Sequence, residues 1–522
     1  MVENLTYRKL YLSALSATGF FLPLSVWMLT FSLIVLVILW LADGSIRKLP
    51  LLINDKRSIL IFCIFYLVYL VWMIKTSDIS SGFWELKMKL PFLIFPVIIG
   101  LSQPLNRREV KILISFFIAG VTLSSVAGVM FKYRSVLSGL SDTREMSLFI
   151  PHARLALMTV FAIFCSGWYF FSRDERRDPW HYGYLAATIW LTVFLFILLS
   201  LTGILIFASI MTLSLIYILF TGKRAVSKYS LVIFWTALLV LAAIYIAGEF
   251  NSFYKKGDAY PFPLDKLTAN GNRYEHFPEI NDIENGNKVW IYLNEGELKK
   301  AWNSRSGILY DGVDRRGQKL RTTLIRYLTS AGLRKDSLGL SCLKTRDISN
   351  IENGIANILY TRGKPIRSKI YEMIWQIDHY RNGGNPSGHS ITQRLEFLKT
   401  GWNIFLRAPL FGTGTGDLDK EYAIQYKLDK SILDLNYRYL SHNQYLTFLI
   451  SFGLIGFLLI SVSLILPVIR TNALKNYTAV VFFVIILLVM MGEDTLETHT
   501  GISFFAYFYS LFIFGNSDVK SS

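Results

Sequence analysis

The sequence predicts an all-α polytopic membrane protein, and three features of the chain predict it. Long apolar runs recur, and 52% of the 522 residues are hydrophobic and 15% aromatic. The turns between the runs carry lysine and arginine on alternate sides. One long, mostly polar stretch interrupts the pattern before the last three runs. A bilayer crossing needs ~20 apolar residues, whereas a soluble core does not need runs of that length, so about 12 transmembrane helices are expected.

The apolar runs lie near 10–25, 27–42, 58–75, 90–105, 110–131, 151–171, 183–200, 202–220 and 230–248, and then near 443–468, 477–491 and 499–515. The first is short enough to be re-entrant. Arg8 and Lys9 precede it, but Leu10 to Ala42 holds two apolar runs and no convincing small-residue cleavage site, which argues against a cleaved signal peptide. The domain plan is residues 1–249 as an N-terminal transmembrane region, 250–440 as a large loop domain, 441–515 as a C-terminal transmembrane region and 516–522 as a tail.

Orientation follows from charge. With the N-terminus cytoplasmic, the cytoplasmic turns hold Arg47, Lys48, Lys56 and Arg57; Arg107, Arg108 and Lys111; Arg173, Arg176 and Arg177; Lys223, Arg224 and Lys228; and Arg470 and Lys475. The opposite short turns hold only Lys75, Lys87, Lys89, Lys132, Arg134 and Arg144. That asymmetry puts the large loop outside the cytoplasm and both termini inside. It also accounts for the net charge of +17 without nucleic acid as a partner. Cys63, Cys165 and Cys342 form no disulfide framework and no Cys-based metal site.

The large loop has the patterning of a folded domain. Lys288 to Leu293 reads as a short strand. Leu320, Leu324, Tyr327 and Leu328 lie at helical spacing with Gly332 as a stop, and Ile366, Ile370, Ile374 and Ile377 mark a second helix. A third helix is expected from Ser390, where Ser390-Ile391-Thr392-Gln393 fits a capping box, with an apolar stripe of Leu395, Leu398, Trp402 and Phe405 and Pro409 as its end.

Ionisable residues at membrane depth are costly and are therefore candidates for function. They cluster on the outer side: His152 and Arg154 opening the sixth span, His442 and Asn443 opening the tenth, Glu493, Asp494, Glu497 and His499 between the last two, and Arg394 on the loop helix. Arginine forks hold phosphate oxygens, and histidine can take a proton from a hydroxyl. The set suits a reaction on a lipid diphosphate at the outer leaflet. Plainer readings exist: a helix anchor for His442, snorkelling for Arg154, a solvated turn for the three carboxylates, and pairing with Glu396 or Glu352 for Arg394. Gly412-Thr413-Gly414-Thr415-Gly416 lacks the Lys-Ser/Thr of a nucleotide loop. His389 reads as a loop hydrogen-bonder, and the histidine spacing carries no metal signature.

Four stretches together resemble the O-antigen ligase and O-antigen polymerase superfamily: Arg394 to Trp402, Pro409-Leu-Phe-Gly412-Thr-Gly414-Thr-Gly416-Asp417, His442-Asn443-Gln444-Tyr445-Leu446, and Phe452-Gly453-Leu454-Ile455-Gly456. The hydropathy plan is similar as well, and Thr323 to Asp336, Ile351 to Asn357 and Glu493 to Thr498 look like the branch found in Bacteroidetes-type bacteria. The resemblance implies a GT-C type, inverting, metal-independent glycosyltransferase with no cofactor, in the bacterial inner membrane with its large loop periplasmic. It implies an undecaprenyl-diphosphate-linked glycan as donor and lipid A–core or another glycan as acceptor. His442 matches the family's essential histidine, as catalytic base, and Arg394 its loop arginine. The family's Ser-Arg motif is absent: the region reads Leu199-Ser200-Leu201-Thr202-Gly203. Arg154 is the substitute proposed for diphosphate binding, with His152, Asn443, Glu493, Asp494 and Glu497 in support. O-antigen ligation is the foremost expectation. A repeat-unit polymerase and a lipid-linked glycan transporter are the alternatives, the last disfavoured by the lack of repeated halves.

Overall fold

The computed structural model describes residues 5–54, 56–137, 143–172, 179–221, 226–254, 263–361, 365–471 and 473–515. The expected tail 516–522 and the loop cations Arg173, Arg176, Arg177, Lys223 and Arg224 lie outside the described residues. Among the described residues the regular secondary structure is helical apart from two short strands, and the chain divides into two compact units: residues 1–136, 141–220 and 394–522 in one, and 137–140 and 221–393 in the other.

Among the described residues, seven helices are long and apolar enough to cross a membrane, namely Arg57–Lys75, Arg107–Arg134, His152–Phe171, His181–Leu198, Leu201–Phe220, Tyr229–Tyr254 and Gln444–Arg470. Val26–Ala42 and Tyr477–Val489 are apolar but shorter. The runs near 90–105 and 499–515 fold as helices of 11 and 15 residues, Pro91–Leu101 and His499–Ile513.

In the first unit the short helix His499–Ile513 is central. Every residue from Thr500 to Ile513 is buried, as expected for a helix that is apolar on all sides. Its rings pack on neighbours from several spans. Phe505 meets Phe92, Tyr509 meets Phe62 at 4.3 Å between ring centres, and Phe508 meets Phe161 and Phe482.

The last long helix, Gln444–Arg470, is broken at Gly453, which has φ 63° and ψ −170°. A break frees backbone groups that hydrocarbon cannot satisfy, so protein must supply the partners. The glycine-rich loop does this. Thr413 N and Gly414 N donate to Ile450 O and Ser451 O, both at 2.9 Å, while Leu454 N and Ile455 N donate to Pro409 O and Leu410 O at 2.8 and 3.2 Å. Only glycine fits on both sides of the seam. A Cβ on Gly453 would lie 2.3 Å from the Leu410 carbonyl carbon, and one on Gly412 2.5 Å from Phe452 N. The end of the Arg57–Val71 helix and the turn after it close the joint. Trp72 Nε1 donates to Phe411 O at 2.6 Å, Lys75 Nζ to Gly412 O at 3.0 Å, and Asp417 accepts from Ser77 N, Ser77 Oγ and Asp78 N.

The loop helix Thr392–Arg407 corrects two expectations. It begins at Thr392, and Gln393 N donates to His389 O at 3.0 Å, so Ser390 does not cap it. Of the expected stripe, Leu398 and Phe405 pack inward with Phe397 and Ile404, but Leu395 and Trp402 are half exposed. Gly401 sets this face, because a Cβ there would stand 2.2 Å from Tyr422 Oη.

The second unit has its own core around Trp302, Tyr310, Leu320, Leu324, Tyr327 and Leu328. The helix Leu320–Ser330 and the left-handed Gly332 fall where the sequence puts them, and Pro365–Arg381 forms the second helix. The expected strand Lys288–Leu293 does not form as such. A two-residue hairpin pairs Ile283–Glu284 with Asn287–Lys288 around Asn285-Gly286, both at positive φ. Tyr292, with φ 53°, turns the chain out of the ladder, and Leu293 makes isolated bridges to Glu275 and Lys335. Buried Glu284 takes Arg326 Nε and Asn357 Nδ2, both at 2.6 Å. Phe253 from the Val226–Tyr254 helix packs with Tyr371, Ile374 and Trp375.

Candidate functional site

The site is built where the broken helix starts. Asn443 has extended backbone, and its side-chain oxygen accepts from Leu446 N at 3.0 Å, which caps the helix. The same side chain donates to Met491 O at 3.0 Å, and Gln444 N donates to Met490 O at 2.9 Å. The helix start is thus sewn to the turn that follows Tyr477–Val489. His442, just before the cap, has φ 51°. That left-handed conformation is uncommon away from glycine and costs ~1–3 kcal/mol, so it persists only where its surroundings fix it. Here buried Ser441, accepting from Asn443 N at 3.1 Å, and the Asn443 cap fix it.

The turn 490–497 delivers Glu493, whose carboxylate is the hub of the site. It takes Arg394 Nη2 at 2.8 Å, and Arg154 Nη1 and His442 Nδ1 lie 3.6 and 3.9 Å from it. Backbone carbonyls hold the other guanidinium nitrogens. Arg394 Nη1 donates to Gly492 O at 2.9 Å, and Arg154 Nη2 to Asp494 O at 3.0 Å. Arg154 is the third residue of His152–Phe171, a helix begun by extended Pro151, and its Nε is buried without a protein partner. The ring of Phe397 faces His442.

The one carboxylate of Glu493 is shared by two guanidiniums, so neither arginine has a carboxylate to itself. The side chains of Glu493 and Arg154 are 8% and 13% exposed, while those of Arg394 and His442 are 36% exposed. The buried pair fixes geometry, and the open pair can meet a ligand. Such a cluster suits an anion with several oxygens. Burial pushes the His442 pKa below its ordinary value; Glu493 opposes this, and Arg394 and Arg154 add to it. The ring is therefore neutral near pH 7 and able to accept a proton.

His442, Arg394, Arg154 and Glu493, named from the sequence, meet at one point. Asn443 frames it. Asp494 does so too, its carboxylate accepting from Thr447 Oγ1 at 2.9 Å and its pKa pushed up to about 6 by burial and by Glu497 and Glu493. His152 opens the arginine-bearing helix. Glu497 serves a different purpose. It accepts from Gln444 Nε2 at 2.6 Å and pairs with Lys89, which also donates to Leu496 O and lies 3.2 Å from Glu85. Lys89 is fully buried, and Leu496 N donates to Gln444 Oε1 at 2.8 Å. From sequence Lys89 is only one of the few cations of the outward turns. Its only signal was a Glu85–Lys89 pair at helical spacing just before an apolar run. The Gly412–Gly416 loop spends amides on the broken helix rather than on a phosphate. In place of the family's arginine, Ser200 accepts from Gly203 N at 3.3 Å at the start of a helix. Among the described residues no three His, Cys, Asp or Glu side chains gather in a way that could hold a metal ion.

Fold and site together define a multi-pass, all-α membrane protein with two arginines gathered beside a histidine. Residues 351–461 match the family model described as O-antigen ligase, which supports the O-antigen ligase superfamily and an O-antigen ligase or polymerase type of function. The matched segment contains Arg394, the glycine-rich loop, His442 and Gly453. No curated protein matches the chain.

Proposed function

We propose that the protein is an inverting, metal-independent glycosyltransferase that moves a glycan from undecaprenyl diphosphate to an acceptor hydroxyl at the periplasmic face, with ligation of O-antigen to lipid A–core as the leading reaction. The observation that supports this is the single buried carboxylate of Glu493 shared by Arg394, Arg154 and His442. In this reading Arg394 and Arg154 neutralise the departing diphosphate. Glu493 favours a proton on His442 Nδ1, which leaves Nε2 to take the acceptor's proton. The anomeric carbon–oxygen bond to the diphosphate breaks as the bond to the acceptor oxygen forms on the opposite face. The protein would lie in the inner membrane with both termini cytoplasmic and residues 250–440 periplasmic.

The glycolipids of a deletion strain, complemented with wild type or His442→Ala, test the proposal. Loss of long glycan on lipid A–core with polymerised undecaprenyl-linked glycan accumulating is the expected result, and His442→Ala should reproduce it. Single repeat units on core would instead identify a polymerase. An unchanged glycolipid profile would overturn the glycosyltransferase reading.

A further inference from the structure

One aromatic ring beside His442 has no part in the chemistry assigned so far. Phe397 is fully buried, and the His442 ring is part of what covers it, at 5.7 Å between ring centres. Tyr439 covers it as well, standing edge-on to it at 6.0 Å. Two rings seated on one buried ring are neighbours, and both face outward: the His442 side chain is 36% exposed and Tyr439 50%. Phe397 follows Arg394 by three residues on the helix Thr392–Arg407. Residues so spaced share a helix face, so the face that presents Arg394 to Glu493 also carries the ring beneath His442 and Tyr439.

The tyrosine is held in place. Buried Tyr426 donates its hydroxyl to Tyr439 O at 2.7 Å, and the next residue, Leu440, packs into the core that contains Phe397. Its other neighbour, Arg438, is turned elsewhere, with Nε donating to Leu433 O at 3.0 Å and the guanidinium over the Tyr426 ring. The Tyr439 hydroxyl makes no hydrogen bond among the described residues. The result is a ring on a fixed backbone, with open surface and a free O–H. Such a ring offers a large amphipathic contact at low entropic cost. Its face carries partial negative charge, so it takes the C–H side of a neutral ring and not an anion. His442 Nδ1 is turned to Glu493, so Nε2 points away from that carboxylate, and an acceptor hydroxyl has to arrive there. We propose that Tyr439 is the stacking platform for the acceptor's terminal sugar ring, setting its hydroxyl against His442 Nε2, an inference that rests on the glycosyl transfer assigned under the proposed function. The arginines then hold the donor, and Tyr439 holds the acceptor.

The test uses the full-length protein in phospholipid vesicles, with an undecaprenyl-diphosphate-linked glycan as donor and lipid A–core as acceptor. Tyr439→Ala should raise the acceptor KM about tenfold, equivalent to ~1.4 kcal/mol. Turnover at saturating acceptor and the donor KM, which reports that the arginine site is folded, should not move. Tyr439→Phe keeps the ring and should stay close to the wild-type acceptor KM. An unchanged acceptor KM in Tyr439→Ala, or a loss carried by turnover or donor KM instead, would overturn the inference while leaving the transferase reading intact. Absence of transfer by the wild type would sink that reading instead, and a binding arm then decides on Tyr439. A photoreactive phenylalanine analogue replaces Tyr439, lipid A–core is the probe, and Leu428, 62% exposed on the helix Leu418–Leu428, is the reference position. Irradiation should attach the sugars of lipid A–core at position 439 and not at 428. Equal labelling at both positions, or no sugar adduct at 439, would overturn the inference.

Discussion

Lys89 offers the sharpest test of how the site is held. Its ammonium is fully buried between Glu497 and Glu85, whose side chains are 15% and 23% exposed. Lys89→Met keeps most of the volume but leaves two nearby carboxylates without their cation. Removing one partner of a buried ion pair costs ~3–5 kcal/mol, whereas replacing both partners by neutral groups can cost little. Lys89→Met should therefore lose ~3 kcal/mol or more. In Lys89→Met/Glu497→Gln the amide can keep the contact with Gln444, and the loss should shrink to ~1–2 kcal/mol, reflecting mainly the missing hydrogen bond to Leu496 O. The assay is equilibrium unfolding of the purified full chain in mild detergent, run as a double-mutant cycle, with a coupling of at least ~2 kcal/mol expected. The donor KM should rise in the single variant, because Glu497, Gln444 and Leu496 brace the turn that carries Glu493. A loss under ~1 kcal/mol in Lys89→Met, or strictly additive effects, would refute the reasoning.

Further outcomes are expected. Activity should rise with pH as His442 loses its proton, with a midpoint below the ordinary imidazole value, since burial depresses it. Arg394→Lys should keep that pH profile with weakened transfer, whereas Glu493→Gln, which removes the one group holding the histidine up, should move the acid limb to lower pH; a shift to higher pH would contradict the arrangement. Asp494 has a folded pKa of about 6, above its unfolded value, so it releases its proton later in the folded state and stability falls as pH rises toward 6. Asp494→Asn should thus gain ~2–3 kcal/mol at pH 7 relative to pH 4, measured by the same unfolding assay. Gly453→Ala should abolish folded protein in the membrane fraction while Gly248→Ala, where an added Cβ meets nothing within 4 Å, is tolerated. A reporter fused at Gly317 should be active only outside the cytoplasm; a cytoplasmic signal would reverse the proposed orientation.

Much of the fold was legible because membrane helices announce themselves by length and apolarity, and loop-domain helices by spacing and stop signals. Leu320–Ser330 with Gly332 is such a case. The grouping of Arg394, Arg154, His442 and Glu493 was legible for a different reason: ionisable residues beside apolar runs are costly, so few exist and they tend to meet. What escaped depended on tertiary contact. Lys89 looked like another loop lysine, because nothing local says that Glu497, 408 residues later, will reach it. The face of Thr392–Arg407 was misjudged because a glycine, not an apolar residue, marks its closest approach to Tyr422. The expected strand Lys288–Leu293 was missed because its pairing is tertiary: Leu293 bridges Glu275 and Lys335, and Tyr292 beside it has a left-handed backbone.

The interlock at Gly453 also bears on how such proteins can be rebuilt. The carbonyls freed by the helix break are satisfied by residues made some 40 positions earlier in the chain, Thr413 and Gly414. Synthesis order therefore has the loop's last segment ready before the helix that needs it. A chimera that exchanges the whole loop at its apparent end, near residue 440, would separate these partners and strand backbone groups in hydrocarbon. A graft that ends at Gln393, where the second compact unit stops, leaves both sides of the seam and Arg394 together in the recipient chain. Exchange of the second compact unit between similar chains is best attempted at that junction.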